Sequence, residues 1–346
     1  LTARPLLEVM NTPADIIEDS YAYIIVIYYG VAATAFYNLL SCIIRALGDS
    51  KTPLIFLVFA SFLNVALDLL FIITFHMGVG GAAWATVLSQ GVSGLLCLGY
   101  AWRRFPLLRM EKRHWTFDWS YAWKHLRLAL PMAMQFVITG TSVLVNQAVL
   151  NLFGSAAVAA FSAASKIHML SEQVAVSFGT AMATYAGQNY GAGKAGRVRE
   201  GLRKCALACE AITLGIMVIM TAFGGVMSSW FIDGYHPEVI QQAHLYLFIS
   251  ALFYPALTML FLYRNTLLGL GNGVTPMLAG VCELLSRMIG APVLGHFFGF
   301  TGLCWINPIA WVTASGLLFL SYRKTMRNIR PVDPTVDASD SNKIMN

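Results

Sequence analysis

The sequence predicts an all-α polytopic membrane protein, and two observations lead to this fold class. The first is composition: 57% of the 346 residues are hydrophobic and 12% are charged, which is about half the charged fraction of an average soluble domain. The second is the hydropathy pattern, which divides the chain into nine apolar segments. At a rise of ~1.5 Å per residue, each segment is long enough for a helix to cross the ~30 Å hydrocarbon layer of a bilayer.

Glycine, proline and charged residues interrupt the apolar segments and define the nine predicted spans. The short turn from His76 to Gly80 makes the second and third spans an antiparallel hairpin, and the glycine-rich stretch 187–194 is a flexible turn after the fifth span. This stretch lacks the spacing of a phosphate-binding loop. The predicted spans are residues 21–47, 54–75, 81–102, 123–152, 156–185, 202–232, 239–268, 276–297 and 303–322.

Charged loops give these spans an orientation. Basic residues concentrate in three connections that fall on one side of a nine-span protein, whereas Asp233 and Glu238 fall on the other side. The positive-inside rule therefore predicts a cytoplasmic C-terminus and a place in the inner (cytoplasmic) cell membrane. We assign the net charge of +6 to this orientation and expect no nucleic-acid partner. The basic residues are Arg103, Arg104, Arg109, Lys112, Arg113, Lys194, Arg197, Arg199, Arg323, Lys324, Arg327 and Arg330.

An internal repeat organises the chain further. The motif Arg45-Ala-Leu-Gly-Asp-Ser-Lys-Thr-Pro53 returns 223 residues later as Leu268-Gly-Leu-Gly-Asn-Gly-Val-Thr-Pro276. An upstream match at Pro13 and a downstream match at Gly81 have shifts of 224 and 221 residues. Three matches in one order and at nearly one shift predict a tandem repeat whose two copies run in the same direction through the membrane.

The repeat predicts twelve spans in two six-helix bundles, of which this chain holds nine spans. Residues 121–224 contain three spans and have no counterpart in the first copy. We therefore expect about 100 residues with three further helices to precede residue 1 in the native protein. The predicted parts are residues 1–102, the second half of the first lobe; 103–122, a basic cytoplasmic linker; 123–322, the second lobe; and 323–346, a disordered cytoplasmic tail.

Asp68 is the main candidate for function because it lies inside the second span. A carboxylate at that depth is costly unless it faces protein or water, finds donors, or carries a proton or cation. Asn64 lies one turn away on the same face, and Thr86 can share this depth across the hairpin. Their oxygens, with Gln90 as a further ligand, suit a proton or a hard cation such as Na⁺. The alternative is a helix–helix hydrogen bond with a structural role.

The second copy of the repeat lacks this set of side chains. Asn64 corresponds to Arg287, Asp68 to Ala291, and Thr86 to Asn307. A set that served only the fold would be expected in both copies. The difference therefore favours a cation site in the first half.

Polar residues elsewhere in the spans have structural alternatives. Glu283 and Arg287 lie one turn apart and are expected to neutralise each other. Arg264, near the end of its span, is expected to extend its charge to the membrane surface. His168 and Glu172 either meet substrate in a central cavity or pair with each other.

Aromatic residues of the first span are further candidates for a substrate cavity. Tyr37 and Asn38 lie in the middle of that span. A cationic aromatic substrate would suit such a surface, whereas packing and membrane-interface belts are the structural alternatives.

No enzyme motif is found in the sequence. There is no HExxH, no GxSxG and no pair of catalytic carboxylates, so the protein is predicted not to be an enzyme. The six cysteines form no CxxC and are interpreted as buried thiols. No cofactor is expected beyond a coupling ion, H⁺ or Na⁺.

Together these motifs resemble the multidrug and toxic compound extrusion (MATE) family of secondary transporters. Each motif is short, but in order they cover nearly all of the chain. They are Arg45-Ala-Leu-Gly-Asp-Ser-Lys-Thr-Pro53, Leu63-Asn-Val-Ala-Leu-Asp68, Gly80-Gly-Ala-Ala-Trp-Ala-Thr86 and Gly187-Gln-Asn-Tyr-Gly-Ala192.

The resemblance implies a specific function. It implies two six-helix lobes that export organic cations or other amphiphiles in exchange for H⁺ or Na⁺. Within the family the sequence is most similar to the prokaryotic branch whose cation site lies in the first lobe, where Asn64, Asp68 and Thr86 match. A further acid of that branch belongs to a helix that this chain lacks. The acids of a second-lobe sodium site in another branch are absent from residues 123–152 and 239–268.

The predicted function is export of a small organic molecule by alternating access, with the lipid bilayer as surroundings and a monomer as the expected assembly. A flippase of lipid-linked saccharides from the same wider superfamily is the alternative, and rows of cavity arginines would favour it. A channel is less compatible with two repeated lobes.

Overall fold

A computed structural model describes residues 3–9, 17–109, 116–232, 234 and 236–329. Within these ranges all regular secondary structure is helical. The chain divides into two compact units, Leu1–Phe117 and Asp118–Asn346. The all-α prediction is therefore confirmed for the part of the chain that the structure describes, and each unit is treated separately below.

The first unit contains four α-helices. They are α1 (Ala3–Val9), α2 (Ile17–Ala46), α3 (Lys51–Leu69) and α4 (Gly78–Arg104), with a π-helical segment (Leu70–Thr74) at the end of α3 and a 3₁₀ turn (Pro106–Leu108) after α4. Helix α4 packs against both α2 and α3. A small core between α2 and α4 contains Tyr37, Leu40, Ile44, Cys97 and Ala101.

The second unit contains six α-helices. They are α5 (Trp119–Asn151), α6 (Gly154–Gly191), α7 (Ala195–Ser229), α8 (Pro237–Leu252), α9 (Tyr254–Gly269) and α10 (Val274–Asn328). Helices α8 and α9 meet at Phe253 with a bend of 53°. The 55 residues of α10 are interrupted at Gly299, whose φ of 58° and ψ of −143° are not helical. Only glycine adopts such angles without steric cost, so α10 is two helical segments joined at Gly299.

In the described part of the chain, six helices are long and apolar enough to cross a membrane, or seven if the bent pair α8–α9 is one span. They are α2, α3 with its π-helical extension, α4, α5, α7 and α10. Their outer surfaces carry large exposed apolar side chains such as Phe62, Leu144 and Phe297, as expected for helices in contact with lipid. The protein is thus a multi-pass membrane protein. The count of nine spans stays a prediction: it requires α6 to cross the membrane and the two segments of α10 to cross separately.

Short polar turns recur at matching positions of the two units. Oδ1 of Asp49 accepts a hydrogen bond from the backbone of Thr52 at 3.0 Å, and Oδ1 of Asn272 accepts one from the backbone of Thr275 at 3.1 Å. Both turns follow a glycine with positive φ and precede a transmembrane helix. The sequence motif therefore encodes the same helix-capping turn twice.

Candidate cation and substrate sites

Two residues of the predicted cation site contact each other in the first unit. Nδ2 of Asn64 lies 3.5 Å from Oγ1 of Thr86, so it donates a long hydrogen bond from α3 to α4. The Thr86 hydroxyl in turn donates to the backbone oxygen of Ala82 at 3.1 Å. Among the residues that the structure describes, no hydrogen bond to the amide oxygen of Asn64 is found.

Asp68 lies one turn beyond Asn64, two residues before the π-helical segment begins at Leu70. Its Oδ1 atom is buried and accepts no hydrogen bond from any residue that the structure describes. The Oε1 atom of Gln90, one turn beyond Thr86 on α4, is buried without a partner in the same way. A buried acceptor without a donor costs about 1–3 kcal/mol, and more when it is charged. A proton or a cation would remove this cost.

Close backbone packing fixes the hairpin that carries these groups. A Cβ atom at Gly81 would lie 2.9 Å from Cβ of Met77 and 3.0 Å from Cβ of Phe71, so only glycine fits at this position. Phe71 belongs to the π-helical segment, which therefore packs directly on the first turn of α4. This contact limits how far α3 and α4 can shift along each other, and it thereby fixes the relative depth of their side chains.

The loop before α3 is tied to the end of α4. The Tyr100 hydroxyl donates to Oδ2 of Asp49 at 2.7 Å, and the Thr52 hydroxyl donates to the same oxygen at 2.7 Å. These hydrogen bonds, led by that from Tyr100, lower the pKa of Asp49 from 3.8 to about 2.

The other predicted residues of the first unit do not line a described cavity. Tyr37 is buried in the core between α2 and α4 and donates through its hydroxyl to the backbone oxygen of Pro53 at 3.3 Å. Asn38 is exposed and donates to the backbone oxygen of Thr34. Their predicted part in a substrate cavity stays a prediction.

The second unit contains a cavity of about 760 Å³ that both polar and apolar side chains line. His168 and Glu172 both line it, with Nε2 of His168 3.9 Å from Oε2 of Glu172. The other ring nitrogen of His168 shares a hydrogen bond of 2.9 Å with the Tyr254 hydroxyl. The imidazole also stacks on Trp311 with the ring centroids 5.3 Å apart. The two residues thus face a cavity and also contact each other, and their part in binding substrate stays a prediction.

Glu283 lies between two arginines in the wall of this cavity. Arg264 binds one carboxylate oxygen through Nη2, and Nη2 of Arg287 lies 3.7 Å from the other oxygen. The expected pairing of Glu283 with Arg287 is confirmed. The expectation for Arg264 was wrong: its side chain is buried and turned inward to Glu283 instead of reaching the membrane surface. A buried carboxylate attracts the guanidinium more strongly than the interface does.

Arg287 forms the centre of a larger network. Its Nε donates to Oδ1 of Asn307 at 3.0 Å, and its Nη1 donates to the hydroxyl of Ser142 at 2.7 Å. Nδ2 of Asn307 donates to the Tyr246 hydroxyl at 3.1 Å. Sequence reasoning did not anticipate Ser142 or Tyr246, because both side chains are ordinary within apolar spans. The mapping of Thr86 onto Asn307 was the one signal that pointed to this network.

The described residues contain no group of three or more His, Cys, Asp or Glu side chains that could hold a metal ion. A cation at Asp68 would therefore depend on amide and hydroxyl oxygens for its other ligands.

Comparison with known proteins identifies the family. The family model described as MatE matches residues 1–70 and 131–293, which together are more than half of the chain. The chain belongs to the MatE family. The "Probable multidrug resistance protein YpnP" of Bacillus subtilis is 33% identical over 320 residues, covering 91% of this chain and 68% of that protein.

Further members agree with this assignment. The "Probable multidrug resistance protein NorM" of Thermotoga maritima is 28% identical over 338 residues, covering 93% of this chain and 72% of that protein. A solved structure described as "Crystal structure of MATE in the bent conformation" has a TM-score of 0.86 at 21% identity, covering 95% of this chain and 73% of that chain. The MatE family consists of membrane transporters and not of enzymes, as the sequence predicted.

Proposed function

We propose that this MatE protein exports amphiphilic organic compounds by antiport with H⁺ or Na⁺, and that Asn64, Asp68, Thr86 and Gln90 form the coupling site. The observation that carries the proposal is the buried Oδ1 of Asp68, which has no donor among the described residues. Relatives named as multidrug resistance proteins favour drug export over flipping of lipid-linked saccharides.

The oxygens around Asp68 match the needs of either ion. A proton on the carboxyl would neutralise it at this depth in the bilayer. Na⁺ would use the oxygens of Asp68, Asn64 and Gln90 as hard ligands. The amide oxygen of Asn64 is suited to this role because the amide nitrogen is the atom that binds Thr86. Either ion would neutralise the same carboxylate, that of Asp68. Antiport then needs only that the ion and the substrate bind preferentially to opposite conformational states of the protein.

Alternating access follows from this difference in affinity. An ion can shift the protein between inward-open and outward-open states only if it binds one state more tightly. The π-helical segment beside Asp68 is a place where a helix accommodates more than one geometry, and π-helical turns are frequent at functional sites.

A tandem repeat of the two units is part of the proposal. Gly78 and Gly299 match in the repeat and share φ values of 56° and 58°. The capping turns at Asp49 and Asn272 also match, as described above. These similarities support twelve spans in two bundles of six, with the chain ending in the cytoplasm.

The direct test is dye transport in everted membrane vesicles under an imposed pH or Na⁺ gradient. We expect uptake of a cationic dye to follow one of the two gradients in the wild-type protein. Asp68→Asn is expected to abolish this coupling, because the neutral amide cannot exchange a proton or balance Na⁺. Asp19→Asn is the matched control, since Asp19 is an exposed carboxylate in the first turn of α2. Coupling that survives Asp68→Asn unchanged would refute the assignment.

A further inference from the structure

The cavity of the second unit carries more positive than negative charge on the wall that Arg264, Glu283 and Arg287 form. Arg264 and Arg287 are 7% and 9% exposed, and Glu283 is the carboxylate between them. One carboxylate balances one guanidinium, so the three side chains together carry a net charge of about +1. An unbalanced guanidinium is expensive inside a membrane protein unless something pairs with it.

The two arginines differ in how their donors are used. Arg287 has a separate partner for each of its three nitrogens: Asn307, Ser142 and Glu283. Arg264 donates to Glu283 through Nη2, and its buried Nε has no acceptor among the residues that the structure describes. All three nitrogens of Arg287 therefore have partners within the protein, and we assign this side chain a structural role. Arg264 retains N–H donors on the cavity wall.

Glu172 is a second carboxylate on the cavity wall, and its charge interacts with the charges of Arg264 and Arg287. The basic side chain within 4 Å of it among the described residues is the imidazole of His168, whose Nε2 lies 3.9 Å from Oε2 of Glu172. Neither arginine lies within ion-pair distance of Glu172 in that part of the chain. Two guanidiniums and two carboxylates line the cavity, so the excess positive charge is local and lies at the wall where Arg264 of α9 faces Glu283 and Arg287 of α10.

The cavity has the size and the walls of a site for an organic molecule. Its volume of about 760 Å³ lies within the range of about 300–1,000 Å³ that small-molecule sites occupy. Apolar and aromatic side chains line the remainder, including Phe136, Phe161, Leu257, Leu260 and Trp311. Such walls would cover the apolar body of an amphiphile while a charged group meets the arginine.

We infer that this cavity binds amphiphiles through an anionic group, a carboxylate in the simplest case, which pairs with the guanidinium of Arg264. The inference rests on the proposed function, because it names a class among the exported compounds. The alternative is that Arg264 serves only to neutralise Glu283. That role would leave the cavity without preference between a carboxylate and its ester.

A matched pair of dyes distinguishes these alternatives. Binding of a rhodamine with a free carboxylate, and of the methyl ester of the same dye, is measured by fluorescence anisotropy on the purified protein in lipid nanodiscs. We expect the carboxylate dye to bind roughly tenfold more tightly than the ester, as one charge-assisted hydrogen-bonded pair would provide. Equal affinities for the two dyes would overturn the inference.

Two substitutions with opposite expected effects locate the site. Arg264→Gln leaves Glu283 balanced by Arg287 and is expected to remove the preference for the carboxylate dye. Glu283→Gln leaves two guanidiniums without a counter-ion and is expected to strengthen binding of that dye severalfold. A preference that persists in Arg264→Gln, or weaker binding of the carboxylate dye to Glu283→Gln, would contradict the assignment. Arg203→Gln, an exposed arginine of α7 away from the cavity, is the matched control.

Transport of the same dyes separates this inference from the proposed function. Gradient-driven uptake of both dyes without a binding preference would leave the proposed export intact and overturn the anion site. Binding of the carboxylate dye that depends on Arg264, without gradient-driven uptake of either dye, would support the anion site and refute the proposed antiport.

Discussion

Nε of Arg287 donates to Oδ1 of Asn307 at 3.0 Å in the second unit, and in the predicted repeat these two residues correspond to Asn64 and Thr86 of the first unit. Asn64 and Thr86 also contact each other, at 3.5 Å. The same pair of helix positions is thus joined in both units. In the second unit the contact carries the positive charge of Arg287, whereas the first unit has an amide at that position, where the proposed coupling ion would supply the charge.

The first prediction concerns this fixed charge. Arg287→Met is expected to destabilise the protein by about 3 kcal/mol, because Asn307 and Ser142 lose a buried partner and the network around them opens. Ser142→Ala removes one hydrogen bond and is expected to cost about 1 kcal/mol. Thermal unfolding in detergent, with Arg203→Met as the exposed control, measures both effects. Equal stability of Arg287→Met and the control would show that the network does not support the fold.

The second prediction concerns the hydroxyl of the proposed coupling site. Thr86→Val keeps the shape of the side chain but removes the acceptor of the Asn64 hydrogen bond. We expect the ion concentration for half-maximal transport to rise roughly tenfold, which corresponds to about 1.4 kcal/mol. Thr86→Ser retains the hydroxyl and is expected to behave like the wild type. A similar loss in both variants would indicate a packing role for Thr86.

The third prediction concerns pH. The pKa of Asp49 is lowered from 3.8 to about 2, with the Tyr100 hydroxyl as the largest cause. The stabilisation is therefore complete above pH values of about 5 and is lost as the pH falls towards 2. Tyr100→Phe is expected to lower stability by about 1 kcal/mol at neutral pH, and this difference should vanish near pH 2.

Unfolding in detergent at a series of pH values measures the effect of Tyr100→Phe. The control is Tyr29→Phe, since Tyr29 is 75% exposed on α2. A difference between Tyr100→Phe and the wild type that does not change with pH would indicate lost packing and not the bond to Asp49.

The fourth prediction concerns backbone packing in α10. A Cβ atom at Gly302 would lie 2.0 Å from the backbone oxygen of Leu294, so Gly302→Ala forces the chain apart near the Gly299 bend. We expect a cost of about 3 kcal/mol, at the upper end for overpacking, because backbone atoms cannot move aside as a side chain can. Gly316→Ala lies in the same helix with open space around it and is expected to be neutral or slightly stabilising. Chemical unfolding compares the two variants, and equal stabilities would contradict the packing described here.

Much of the fold could be predicted because hydropathy responds to a single physical constraint, the thickness of the bilayer. The hairpin of α3 and α4 and the contact of Asn64 with Thr86 followed from helix periodicity and a short turn. The burial of Arg264 could not be predicted in this way. Whether an arginine turns to the membrane surface or to a buried carboxylate depends on where another helix places that carboxylate, and Glu283 lies on α10.

The cavity of the second unit shows the same limit. His168 and Glu172 are recognisable in the sequence as polar residues one turn apart. The cavity that they line is formed with Gln135, Tyr246 and Asn307 from three other helices. Local spacing contains no information about these partners. The internal repeat did contain some information about them, since it related Asn307 to Thr86 before any contact was known.

The π-helical turn at Leu70–Thr74 gives the first unit a particular freedom. A turn of this kind holds one residue more than an α-helical turn, so a single residue lost or gained there would be absorbed as a change between the two helix types. Such a change would rotate Asp68 about the axis of α3, while the loop at Gly78 kept its position against the neighbouring helix. One small deletion in a descendant of this chain would thus change the direction of the Asp68 carboxylate, which we propose as the ligand of the coupling ion.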